Sequence, residues 1–557
     1  MKARIVNSRL RLLLLVILLT FAALGARAAW IQTVRASSLA RLAQSQTKID
    51  LELPASRGTI YDRLGTPLAI GEQATDVIAD PMQISDPRGE ARVAAKVLGL
   101  PVRQVYRALA DRSRGFVYVQ RKAPPKLAAA LSKRNLTGFT FESDERRVYP
   151  QDTVAASVLG YAGTDNIGLA GLEHELNKEL SGTPGSATVV RDATGQAVNT
   201  IQNRPAHEGH DVFLTLDSHI QANAEQVLAQ TVRQWHAKDA TAIVLDPHTG
   251  AILAMAQEPA YNANDYPAAY AHGVAIDHAV NDVFEPGSVF KVVTVGGALS
   301  EHKITPGTAF TLPYSIHVAD RVIHDAEIRP TERMTVAQIL QRSSNVGAVT
   351  IAQRYLGEAG LKKWMFRFGI GRLTGIDLPG ESAGILPKYW SGSTIGNVPI
   401  GQGVSVTSVQ LASVYAAIAN GGEWVQPHLV DHVLGSSPPR LHRRRILDPG
   451  IDRELRTMLR GVVSDQGTAE LAAIPGYTVA GKTGTAQKPG PNGYIPGAYV
   501  ATFVGMVPAS DPRLVVLVSV DEPRGQIYGG TVAAPAFEQI ASFDLQYLEV
   551  PPDLRIR

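Results

Sequence analysis

An apolar run from Leu12 to Ala26 follows a flank carrying Lys2, Arg4, Arg9 and Arg11. A positive flank before a hydrophobic segment is the pattern of an export signal. The run alone is short of the ~20 residues needed to span hydrocarbon. Continuing through Ala28, Ala29, Trp30 and Ile31 reaches that length, with Arg27 snorkelling outward. Ala26-Arg27-Ala28 also reads as a small-residue cleavage site, so a cleaved signal competes with a retained anchor. Loose helical spacing at Trp30, Ile31, Val34, Leu39 and Leu42, carried on to Lys48, favours the anchor and puts Trp30 at the interface. The basic flank places the N-terminus inside and the bulk of the chain outside.

No later run approaches membrane length, and no internal repeat stands out. The polar stretch Asp192 to Asp211, with Gly195, Pro205 and Gly209, reads as a loop-rich junction. Val212 to Leu216 then predicts a strand, and Ile220 to Trp235 an amphipathic helix. Thr241–Leu245 and Ala251–Met255 flank a turn at Asp246 to Gly250, which predicts a hairpin. A second strand pair, Tyr499–Val507 and Leu514–Val520, lies far downstream around Asp511-Pro512. Strands at both ends of a mostly helical middle predict one α/β domain, its sheet assembled from both ends of the segment, with its boundary near residues 210–235. Residues 50–205 mix short strands, helices and turns. The basic run Pro438 to Leu447 reads as a solvated loop.

Composition narrows the chemistry. The 557 residues argue for more than one domain, and 45% hydrophobic residues supply a core. Lys+Arg 54 against Asp+Glu 51 gives a net charge of only +3, with no global basic field for nucleic acid. The absence of cysteine removes disulfides, thiolate metal sites and cysteine nucleophiles together.

The sharpest signal is Glu285-Pro286-Gly287-Ser288-Val289-Phe290-Lys291. Pro-Gly opens a turn, Val289 to Leu299 continues as an apolar helix, and Ser288 falls in its first turn. Free N–H groups there favour a developing oxyanion. Lys291 follows one turn along the same face. A serine hydroxyl needs an adjacent base, and a lysine serves if desolvation or a neighbouring cation lowers its pKa. The same spacing recurs at Ser45/Lys48, in the membrane-proximal helix, and at Ser300/Lys303, at the end of the Ser288 helix. Both are read as decoys.

Two further triplets decide between them. Ser343-Ser344-Asn345 follows the helical Thr335–Leu340, and Lys482-Thr483-Gly484-Thr485 opens a strand whose glycine permits close approach. A rival triplet, His248-Thr249-Gly250, precedes Ser288 and sits in a hairpin turn. The ordered set Ser-x-x-Lys, Ser-x-Asn, Lys-Thr-Gly is a much rarer coincidence than any member. It fits acyl transfer from a peptide. Lys291 would take the Ser288 proton, and the N–H groups of Ser288 and Thr485 would form the oxyanion hole. Ser343 would relay a proton to the leaving amine between Lys291 and Lys482. Asn345 would bind the donor's amide, and Lys482, Thr483 and Thr485 its carboxylate region.

At these residues the chain resembles the class B penicillin-binding proteins, the monofunctional D,D-transpeptidases. Arg57-Gly58-Thr59-Ile60-Tyr61-Asp62-Arg63-Leu64-Gly65 matches the family's N-terminal signature, and Gly171-Leu172-Glu173 to Leu180-Ser181-Gly182 matches the second part of its non-catalytic domain. Asp217 to Gln221, Gly401 to Thr407 and Tyr415 to Gly422 also align. Glu-Pro-Gly-Ser at 285–288 and Ser-Ser-Asn-Val-Gly at 343–347 resemble the septal, cell-division type. Gln402 stands where many septal members carry tyrosine.

The resemblance implies a transpeptidase domain of β-lactamase-like fold with antiparallel sheet and helices, an elongated α+β non-catalytic domain and one transmembrane helix. The expected division is a cytoplasmic tail at 1–11, an anchor at 12–31, a juxtamembrane helix and pedestal or dimerisation-type domain at 32–215, and the transpeptidase domain at 235–550. It implies an inner-membrane, single-pass protein with its catalytic domain in the periplasm. Its substrate would be the D-Ala-D-Ala end of peptidoglycan stem peptides, with β-lactams as inhibitors and an acyl-enzyme on Ser288. Expected partners are a membrane glycan polymerase of the shape, elongation, division and sporulation family, and divisome scaffold proteins. No nucleic acid, cofactor or metal is expected. An elongation-type transpeptidase, a D,D-carboxypeptidase or serine β-lactamase, and a silent β-lactam-binding scaffold remain as rivals. Metal-dependent hydrolysis finds no His-Glu-x-x-His, and His174 reads as a surface residue.

Overall fold

The computed structural model describes residues 2–38, 48–191, 197–271, 276–491 and 493–554. These fall into two compact units, one within Met1–Ser56 and Gly182–Glu208, the other within Arg57–Ser181 and Gly209–Arg557.

The first unit opens with the helix Lys2–Thr33. Its portion Arg9–Thr33, 25 residues, is long and apolar enough to cross a membrane, about 38 Å at helical rise. Trp30 lies between two guanidinium groups, Arg27 at 5.0 Å and Arg35 at 4.7 Å from its ring centre. The helix Lys2–Thr33 is followed by a turn at Val34 and Arg35, residues 36–38 are helical again, and Lys48 departs from the expected helix by opening the strand Lys48–Leu53. There Ile49, Leu51 and Leu53 alternate with acidic residues, a period of two that replaces the helical spacing. Leu39, Leu42 and Ser45 lie outside the described residues. The polar stretch after Asp192 is likewise not all loop. Ala197–Arg204 is a strand paired antiparallel with Gly185–Arg191, which pairs in turn with Lys48–Leu53. Main-chain hydrogen bonding needs no apolar side chain, so a polar composition concealed it; residues 192–196 are outside the described set.

In the second unit, one sheet draws strands from distant parts of the chain, in the order Val430–Val433, Val212–Leu214, Ile60–Tyr61, Pro67–Ala79 and Val117–Ala123. Phe139–Val148 also pairs with Pro67–Ala79. Beside it, Glu173 is fully buried and accepts from Arg57 Nε at 2.7 Å and Arg147 Nε at 2.6 Å. The Arg57 segment and the Gly171-Leu172-Glu173 segment therefore meet in one ion-pair network. His174 is exposed.

The larger core is built from α1 (Ser218–Trp235), β1 (Asp239–Leu245), β2 (Ile252–Glu258), α2 (Lys291–Ser300), α3 (Val336–Gln341), α4 (Asn345–Ile351), α5 (Ser408–Ala419), β3 (Ala480–Gly490), β4 (Gly493–Val507), β5 (Leu514–Asp521) and α6 (Ala534–Tyr547). The strands form one antiparallel sheet in the order β2-β1-β5-β4-β3. The early hairpin and the late strands thus join through β1 and β5, as the pattern predicts. Both are continuous apolar runs because both faces of the sheet are covered. Asp217 caps α1, whose Ile220, Ala224, Val227 and Leu228 face inward at helical spacing. The helix α5 is buried all round and opens with a Thr407/Gln410 capping box. The basic run after Pro438 departs from the expected loop: Arg443–Arg445 pair with Glu423–Val425, and the Arg444 guanidinium covers the Trp424 ring at 4.7 Å.

Candidate active site

Ser288 sits on a 3₁₀ turn, Gly287–Phe290, that leads directly into α2. Gly287 has φ +58°, a left-handed conformation that favours glycine, and its N–H donates to the Gly401 carbonyl at 3.0 Å. Opposite, a Cβ on Gly484 of β3 would lie 2.9 Å from the Pro286 carbonyl and 3.2 Å from Val289 Cγ1. The glycine therefore lets β3 press against the serine turn. Ser288 is half-buried, and its hydroxyl makes no hydrogen bond among the described residues. Tyr415 of α5 steadies the turn from beneath by donating to the Val289 carbonyl at 2.9 Å.

Lys291 is fully buried among the valines of α2. Its Nζ donates to the Ser343 carbonyl at 2.6 Å and to Asn345 Oδ1 at 2.7 Å, and lies 3.2 Å from Ser343 Oγ. Lys482 of β3 reaches the same hydroxyl from the other side, Nζ to Ser343 Oγ 2.9 Å. Thr483 Oγ1 stands 3.4 Å from Lys482 Nζ and 2.7 Å from Thr468 Oγ1, and Thr485 Oγ1 accepts from Gly529 N at 3.2 Å. Lys291 and Lys482, 191 positions apart in the sequence, thus converge on Ser343 Oγ.

Burial lowers Lys291 to about 7, against the opposing charge of Asp325. Burial also holds Lys482 well below the usual lysine range, and Lys291 adds to the effect. Two amines around one hydroxyl disfavour each other's protons.

Ser343 has φ +58°, a conformation that costs a non-glycine residue roughly 1–2 kcal/mol. It lies where α3 ends and α4 begins, with Ser344 capping α4 through Gly347 N. Asp325 holds this junction. It accepts from Ser344 Oγ at 3.0 Å and Val346 N at 3.0 Å and is paired with Arg329 at 2.5 Å. The neighbouring His324 carbonyl accepts from Asn345 Nδ2 at 3.0 Å.

Asp325 and Arg329 escaped the sequence reading because no spacing ties them to Ser343. Glu285 lay inside the quoted motif without a role; it accepts from Gly403 N at 2.8 Å and from Tyr494 OH at 2.9 Å. Of the decoys, Ser300 closes α2, Lys48 opens a strand of the first unit, and His248, in the β1–β2 turn, contacts Asn420 at the end of α5.

Residues 240–542 match the family model of the penicillin binding protein transpeptidase domain, and residues 52–214 that of the penicillin-binding protein dimerisation domain. The peptidoglycan D,D-transpeptidase FtsI of Escherichia coli K12 is 32% identical over 99% of this chain and 94% of its own. Penicillin-binding protein PbpB of Mycolicibacterium smegmatis is 33% identical over 94% and 87%. Among solved structures, penicillin binding protein 3 of Mycobacterium tuberculosis in complex with aztreonam superposes with a TM-score of 0.72 at 31% identity, over 90% of this chain and 98% of that one. With matches of this length and geometry, the chain belongs to the penicillin-binding protein transpeptidase family.

Proposed function

We propose that this protein is a septal peptidoglycan D,D-transpeptidase that cross-links stem peptides through an acyl-enzyme on Ser288. The observation that carries the reading is the buried Lys291 amine, lowered to about 7 and held beside Ser343 and Asn345. In its neutral form Lys291 accepts the Ser288 proton as Oγ attacks the D-Ala-D-Ala carbonyl. The N–H groups of Ser288 and Thr485 receive the oxyanion. Ser343, between Lys291 and Lys482, passes the proton to the departing D-alanine amine. The amine of a second stem peptide then attacks the ester, and the same groups act in reverse.

β3 is an edge strand of its sheet, which suits an extended donor peptide laid alongside it. Asn345 binds the donor's amide, and Lys482, Thr483 and Thr485 bind its carboxylate, whose charge restores the proton to Lys482. Gly484 keeps the strand close to the serine turn. β-Lactams acylate the same hydroxyl. The chain is divided as a cytoplasmic tail (1–11), an inner-membrane anchor (12–31), a pedestal region (32–215) and a periplasmic transpeptidase domain (235–550). A membrane glycan polymerase and divisome scaffolds meet the anchor and pedestal.

A fluorescent penicillin tests the reading. It is expected to label the wild type covalently on the peptide containing Ser288, with the adduct persisting for hours. Stable labelling of Ser288→Ala would overturn the assignment, and rapid release of the adduct would turn it into a β-lactamase.

A further inference from the structure

The two N–H groups proposed to receive the oxyanion are carried by different segments, Ser288 by the serine turn and Thr485 by β3. On one side the turn is fastened by main-chain bonds. Gly287 N–H donates to the Gly401 carbonyl at 3.0 Å, and Phe284 and Val406 exchange N–H···O bonds at 3.0 and 2.9 Å. A Cβ on Gly401 would overlap the Gly287 carbonyl, so backbone meets backbone there. On the β3 side the contact is van der Waals only: among the described residues no hydrogen bond joins 286–290 to 480–490. Two glycines set the clearance. A Cβ on Gly484 would stand 2.9 Å from the Pro286 carbonyl, and one on Gly287 3.3 Å from Ala486 Cβ.

One side chain spans that gap. Glu285 is 6% exposed and lies three residues before Ser288. One of its carboxylate oxygens accepts from Gly403 N at 2.8 Å, the other from Tyr494 OH at 2.9 Å. Tyr494 stands opposite Pro489 in the β3–β4 hairpin. The arm of that hairpin is exposed at Pro491 and from Gly493 to Gly497. Its Ile495 carbonyl is taken from within, by Gln487 Nε2 at 3.0 Å. Burial and the Glu285 carboxylate push the Tyr494 hydroxyl up, which keeps its proton in the bond. Among the described residues, the Glu285–Tyr494 bond is therefore the one polar tie between the serine segment 284–290 and the β3–β4 arm.

We propose that Glu285 is a positioning residue for acylation: through Tyr494 it sets how closely β3 lies on the serine turn, and so the spacing of the two oxyanion donors. The inference rests on the acyl-transfer reading of Ser288. Donor geometry matters most in the transition state, where charge develops on the carbonyl oxygen. Loss of the tie therefore slows acylation at saturation and leaves the affinity for penicillin before acylation little changed. The tie needs a side chain that bonds both partners rather than a charge. Glutamine meets that need, because its amide can accept from Gly403 N and donate to the Tyr494 oxygen.

Stopped-flow labelling of the full chain in detergent by a fluorescent penicillin, over a range of concentrations, separates the acylation rate from the binding constant. Tyr494→Phe and Glu285→Ala should each lower the saturating rate about tenfold, with half-saturation moved by less than about twofold. The double variant should be no slower than the slower single one. Glu285→Gln should stay within about threefold of the parent. Infrared difference spectra of the acyl-enzyme, formed with a penicillin isotopically labelled at the β-lactam carbonyl, give a second readout. The ester stretch should move to higher frequency in Tyr494→Phe, because the loosened donors bond the carbonyl more weakly. Tyr494→Phe removes only a hydroxyl from an exposed ring, so it should melt as the parent does. A parent-like rate in Tyr494→Phe, a slowed rate with the parent's carbonyl frequency, or additive losses in the double variant overturns the inference. In each of these outcomes labelling of Ser288 leaves the transpeptidase reading standing. Absence of labelling in the parent overturns both.

Discussion

The ε-amine of Lys291 lies 2.6 Å from the main-chain carbonyl of Ser343 and 3.2 Å from its hydroxyl. One amine thus holds the strained Ser343 backbone in place and faces the hydroxyl through which a proton can pass. With Lys291 lowered to about 7, the neutral base predominates above that pH. Penicillin acylation of the wild type should therefore fall about tenfold per pH unit below 7 and level off above it. Lys291→Ala should acylate too slowly to measure while melting cooperatively. A flat profile from pH 5 to 9, or an unchanged rate in Lys291→Ala, would remove the lysine as base.

Asp325 anchors the Ser343–Asn345 turn and opposes the lowering of Lys291. Asp325→Asn should slow acylation about 100-fold through misplacement. It should also move the midpoint of the pH profile downward, because a stabilising negative charge is gone. A slowed variant with the parent's midpoint would reduce Asp325 to a structural support.

Gly484→Ala places a Cβ 2.9 Å from the Pro286 carbonyl. The variant should lose about 1–3 kcal/mol of stability by overpacking and acylate more slowly, because β3 and the serine turn separate. Denaturant melts and labelling rates check both; a parent-like rate would show that the turn tolerates the shift.

Glu173 is buried between Arg57 and Arg147. Glu173→Gln leaves two guanidinium groups short of their counter-charge, and a loss of about 3–5 kcal/mol is expected. A melting curve within error of the parent would mean that water or a neighbour replaces the carboxylate.

Removal of residues 1–33 deletes the one helix among the described residues that is long and apolar enough to span a membrane. The full chain should sediment with membranes and resist high-salt washing, and the truncated protein should appear in the soluble fraction with its labelling by penicillin intact. Persistent sedimentation of the truncated form would locate membrane affinity elsewhere.

The linear chain disclosed what depends on local pattern. Charge and apolarity before residue 33 marked the membrane-length helix, apolar runs flanking turns marked β1, β2, β4 and β5, and the order of three short triplets pointed to Ser288, Lys291, Ser343 and Lys482 as candidates over their decoys. Strands without apolar alternation, Ala197–Arg204 and Arg443–Arg445, went unseen, because main-chain pairing leaves little trace in side-chain composition. Tertiary structure alone decided the rest. The lowered pKa of Lys291 is a property of burial, and burial depends on which segments pack over α2. Asp325 and Ser344 meet only because the α3–α4 junction folds back onto residues 324–325. Asp239 and Asp521, 282 positions apart, become neighbours through strand register. Spacing along the chain encodes which chemistry is possible; the charge state of a side chain depends on what surrounds it in space.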